Sequence, residues 1–125
     1  MTTPNIVGIT TLVGVTTYLS LADTSPTVLL SNAASSGKIF KVNSIIVAND
    51  DGTNTANITV AIHDAAAGGG TAYKIAHTID VVADSTLVVL DKASSIYLEE
   101  DHSIVVTASA GGDLDVVCSY EEISD

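Results

Sequence analysis

Residues 38–63 read KIFKVNSIIVANDDGTNTANITVAIH, and the fold class turns on them. In Thr55–His63, Ala56, Ile58, Val60 and Ile62 fall on one side, with Thr55, Asn57, Thr59 and His63 on the other. A period of two is the signature of a β-strand with one face buried. Lys38–Asn49 is apolar on both faces at its centre, which marks a strand central to its sheet and covered on both sides. Between them, Asp50-Asp51-Gly52-Thr53-Asn54 is a run of turn formers, so the two strands read as a hairpin.

The same grammar extends outward. Short β-prone runs lie at Thr27–Ser31, Tyr73–Val82, Thr86–Leu90, Ile96–Leu98, Ser103–Ser109 and Leu114–Tyr120. Turn clusters separate them: Asp23–Pro26, Asn32–Gly37, Ala83–Ser85, Glu99–His102 and Gly111–Asp113. Ala65–Gly70 (AAAGGG) reads as a flexible tip loop. Val (15), Ile (12) and Thr (15) supply 42 of 125 residues, and β-branched side chains favour strands over helices. The expected fold is all-β, an antiparallel β-sandwich of jelly-roll or Ig-like type with no significant helix. The expected core is Phe40, Val42, Ile46, Ile58, Val60, Ile62, Ile79, Val81, Leu87, Val89, Ile96, Leu98, Ile104, Val106, Leu114 and Val116.

Charge removes several function classes. Fifteen acidic residues face four lysines and no arginine, for a formal charge of −11. Nucleic-acid binding needs cationic surface to displace counterions from phosphate, and Lys38, Lys41, Lys74 and Lys92 are too few and too dispersed to supply it. Anionic membranes are disfavoured on the same ground. No apolar run is long enough for a transmembrane helix. Residues 1–22 lack the basic start of a signal peptide, so we expect a chain that folds without secretion. Those residues carry no charged side chain, and the remaining 103 carry all 19. They divide the chain into an N-terminal strand or arm (1–22) and a sandwich body (23–125).

Each candidate for chemistry has a plainer reading. Asn49–Asn54 offers oxygens to a calcium ion but lacks the EF-hand spacing, and reads as a turn. Glu99, Glu100 and Asp101 fit a polar turn better than a glycosidase carboxylate pair. His63, His77 and His102 match no ligand spacing; His77, between Ile75 and Ile79, reads as a core or interface histidine. Cys118, the single cysteine, alternates with Val116 and Tyr120 on an inward face and reads as a small buried hydrophobe. Gly68-Gly69-Gly70 lacks the Lys and Ser/Thr of a phosphate loop. Asn57-Ile58-Thr59 matches a glycosylation acceptor only in form. We therefore expect no catalytic residue, no cofactor and no metal.

Three stretches carry a family resemblance: GKIFKVNSIIVANDDGTNTANITVAIHD (37–64), IDVVADSTLVVLDKASSIYLEEDHSIVVTAS (79–109) and LDVVCSYEEI (114–123). In this order they resemble small virion structural proteins of tailed bacteriophages, especially marine ones. The resemblance implies a β-sandwich on the outer surface of the virion head, assembled in the host cytoplasm. The implied role is a capsid decoration (cement) protein; the alternative is a neck-, tail- or fibre-associated module that binds a receptor or another virion protein. The implied partners are the major capsid protein or other virion proteins. Sandwich edges need covering, so a homo-oligomer is expected as well, trimer first and dimer next. Sugar binding fits poorly with four Tyr, one Phe and no Trp.

Overall fold

Alternating apolar residues make nine strands, and a computed structural model that describes residues 4–125 shows how they stack. The strands are β1 (Thr11–Ser20), β2 (Thr27–Asn32), β3 (Lys38–Asn49), β4 (Ala56–His63), β5 (Ala72–Val81), β6 (Thr86–Leu90), β7 (Ile96–Leu98), β8 (His102–Ala108) and β9 (Leu114–Ser124). Two 3-10 turns, Ala66–Gly68 and Lys92–Ser94, are the helical elements among the described residues, and no helix there is long and apolar enough to cross a membrane. One sheet runs β1-β9-β3-β6, with β7 also on β3; the other runs β2-β8-β4-β5. All pairings are antiparallel.

The chain passes back and forth between the sheets, and β1 and β9, the outermost strands in sequence, pair with each other. This winding is a jelly roll. β6 and β7 act as one interrupted edge strand, pairing with Ile45–Ala48 and Phe40–Val42 of β3 respectively. The interruption is the Lys92–Ser94 turn, capped reciprocally by the side chains of Asp91 and Ser94.

The β3–β4 hairpin does not form. β3 lies in one sheet and β4 in the other, so Asp50–Thr55 crosses between layers. Asn49 fixes that crossing. Its buried Nδ2 donates to the carbonyls of Asn54 and Val81, each at 2.9 Å, and its Oδ1 accepts from Asp51 N–H at 3.0 Å. The hairpin lies one loop later: β4 and β5 are the one sequence-adjacent pair of strands that bond to each other among the described residues.

Most of the expected core is buried: Phe40, Val42, Ile58, Val60, Val81, Leu98, Ile104, Val106, Leu114 and Val116. Ile62, Leu87, Val89 and Ile96 pack against it half-buried. Ile46 and Ile79 are corrections. The register of β3 slips between Val42 and Ser44, so Ile45 and Val47 point inward and Ile46 outward. Ile79 lies on an edge strand that slips twice, and it is 43% exposed. Leu21, Leu29, Leu30 and Leu90 join the core, with Cys118 and Tyr120; the Tyr120 ring packs 5.1 Å from Phe40.

Candidate interaction surface

The structure turns most of the candidate chemical groups onto the chain itself; among the candidates, Glu100 Oε1 is buried without a hydrogen-bond partner. In Asn49–Asn54, Asp51 Oδ1 accepts from the N–H groups of Thr53 and Asn54, and Oδ2 accepts from the Asn54 side chain. Those bonds, that from Thr53 first, hold the Asp51 carboxyl below its usual range. Its oxygens serve the turn. Among the described residues no three His, Cys, Asp or Glu side chains gather in one cluster. His63 Nδ1 donates to Gly69 O at 3.0 Å and His102 Nδ1 to Glu100 O at 2.8 Å. His77 is exposed rather than part of the core or an apolar face, because β5 bulges beside Thr78, whose φ is +47°. Cys118 is fully buried, and burial pushes its thiol up to about 12. Among the described residues, shallow depressions of about 260 Å³ beside His63 and Lys74 and about 250 Å³ beside Tyr18 and Asp115 stand out. Both fall below the usual size of a small-molecule site, roughly 300–1,000 Å³.

The Ala65–Gly70 loop is pinned, not loose. Ala66 N–H donates to Asp101 Oδ1 (3.0 Å), Ala67 N–H to Ser31 Oγ (2.9 Å) and Gly68 N–H to Ser103 Oγ (2.9 Å), while Ser103 Oγ donates to Ala65 O (2.8 Å). The glycines serve this tight path: Gly68 has φ +76° and lies against the methyls of Val28 and Val105. The loop thus lies over β2 and β8 and covers part of the outer face of its sheet.

The opposite outer face is buried at the paired Ile39 and Ile123 but open further along. Register places Tyr18, Val117, Ile46 and Val88 in one row across β1, β9, β3 and β6. Tyr18 is 75% exposed and Val88 57%, with Val117 and Ile46 half-buried. β3 is therefore central to its sheet, as its sequence indicates; both of its faces are covered at Ile39 and Phe40, but the outer one is only half-covered at Ile46. Beside this row runs β1, exposed for most of its length and paired with β9 alone. Its other edge has no partner strand among the described residues. Edge strands are normally blunted by lysine, proline or a bulge; β1 has no charged residue, no proline and an unbroken register. Single-strand patterns could not reveal this row, because it exists only once four distant strands are aligned. Its one sequence signal is the two-faced apolarity of Ser44–Ala48.

No family model matches the sequence, and no curated protein matches it. Solved structures share the fold. A chain from the endospore appendages of Bacillus, a family of disulfide-linked pili, is 18% identical with a TM-score of 0.54, covering 94% of this chain and 91% of that one. A chain of infectious bursal disease virus Gx strain is 11% identical with a TM-score of 0.53, and one from the T13 particle of the same virus is 10% identical with a TM-score of 0.50. Each covers 93% of this chain, which spans only about a third of theirs (33% and 32%). At these identities the likeness is one of fold.

Proposed function

We propose that this chain is a non-catalytic structural protein of a bacteriophage virion, a jelly-roll module that decorates and stabilises the outer surface of the head. The observation that carries the reading is the uncharged β1 edge, unpaired among the described residues, beside the partly exposed apolar row from Tyr18 to Val88. Such a surface suits assembly: main-chain groups supply affinity and apolar side chains exclude water. The fold is one that viral particles and surface appendages both use, and the sequence resemblance points to tailed phages. In this reading 1–22 is the attaching strand or arm, 23–125 is the body, and the partners are further copies and the major capsid protein. No residue is assigned a catalytic, cofactor or metal role.

A second reading, a neck-, tail- or fibre-associated module, draws on one observation: the fold likeness to the appendage chain spans 91% of that chain. Its disulfide linkage does not transfer to Cys118, which is fully buried. Cryo-electron microscopy of the intact particle tests both. Density for this jelly roll repeated over the head supports decoration; a few copies at one vertex or along the tail support the second reading; its absence from the particle overturns both.

A further inference from the structure

Building on the reading of a self-assembling structural protein, we propose that the β1 edge is a two-fold interface with a second copy of this chain, with Thr16 on the axis. Three observations converge on that occupant. The first is charge: each copy carries −11, but residues 1–22 carry none, so β1 against β1 is where two acidic bodies meet without juxtaposing carboxylates. The second is Gly14. It sits mid-strand with ordinary extended backbone, and an added Cβ would meet nothing within 4 Å. Nothing among the described residues requires glycine there, although glycine weakens a strand, and β1 has no bulge. The remaining reason is an approach from outside.

The third is geometric fit. Antiparallel pairing about Thr16 sets Leu12 opposite Ser20 and Gly14 opposite Tyr18, both ways round, and uses nearly the whole strand. Gly14 and Tyr18 share the outer face, since their partners Glu121 and Val117 alternate along β9. Each exposed Tyr18 ring then lies over the partner's Gly14, the arrangement by which an aromatic side chain shields a strand glycine. Every second residue of β1 directs its N–H and C=O to the free edge, so the ladder satisfies them and joins the two sheets into one. An edge that pairs with itself closes with two copies; on this ground dimer displaces the trimer that sequence ranked first.

Cysteine cross-linking with sedimentation equilibrium tests this on the full chain. Residues directly opposed in an antiparallel ladder have Cα atoms about 4.5–5.5 Å apart, within the ~4.4–6.8 Å that a disulfide spans. Thr16→Cys, at an exposed position, is expected to give a covalent dimer under mild oxidation. Gly14→Cys or Tyr18→Cys alone is not, because the two copies' equivalent positions lie roughly 14 Å apart at strand spacing; the two variants mixed should cross-link. Wild type, its own cysteine buried, is the control and should sediment as a dimer. If the protein associates but Thr16→Cys stays unlinked, or if the assembled state is a trimer, the β1 contact is wrong while self-assembly stands. A wild type that stays monomeric at every concentration, with no linked Thr16→Cys, removes both.

Discussion

Two buried asparagines tie the sheets together. Asn32 ends β2 and donates to Lys38 O (2.9 Å) and Leu98 O (3.1 Å) across the layers; Asn49 ends β3 and donates to Val81 O on the facing sheet. Each amide is fully employed, and truncation strands carbonyls away from water. Asn49→Ala should therefore cost about 1–3 kcal/mol in urea unfolding, as should Asn32→Ala. Cys118 makes a separate, pH-dependent prediction. Its folded value is about 12 against 9.0 ordinarily, because burial penalises the thiolate. The folded state then holds a proton that the unfolded chain releases, so this stabilisation is intact below about pH 9 and falls away as pH rises towards 12. Tyr120, raised by burial and by the Glu122 charge, acts in the same direction. Iodoacetamide at pH 8 should leave the native thiol unlabelled and label it in urea; labelling of the native protein would show that the last strand opens.

Among the elements, β3 shows what a local pattern conveys and what it hides. Its strand character and central place are plain in KIFKVNSIIVAN, but the slip at Asn43 is not, because a bulge leaves no fixed residue signature. That one extra residue exchanges the roles of Ile45 and Ile46. Ile45→Ala should cost about 2–5 kcal/mol as a core truncation, and Ile46→Ala well under half of that; equal costs would refute the assigned register. AAAGGG was legible as a loop but not as an anchored one, since its partners lie far off in sequence, Ser31 on β2, Ser103 on β8 and Asp101 in the turn before β8. Ser103→Ala removes both the acceptor for Gly68 N–H and the donor to Ala65 O. Amide exchange at Ala66–Gly68 should then accelerate while the β4 and β8 amides stay protected.

For the whole molecule, composition and period determine the sandwich class, and the inward sets of β4, β8 and β9 follow from alternation alone. Connectivity does not, because a turn of Asp, Gly and Asn looks the same whether it joins two strands of one sheet or crosses between two. The assembly surface was half visible: the absence of charge in 1–22 is a sequence fact, while the row from Tyr18 to Val88 needs the finished sheet. Together the charge distribution and the sheet determine how association should respond to salt. The proposed contact contains no charged pair, and two bodies of −11 flank it. At 0.01 M salt the screening length is about 30 Å, so the bodies repel across the interface; at 0.15 M it is about 8 Å and most of that repulsion is gone. Dimerisation measured by sedimentation equilibrium should therefore strengthen over this range. An interface held by ion pairs, such as one built on Lys38 or Lys74, would weaken instead, and that result would exclude the uncharged β1 edge as the main contact.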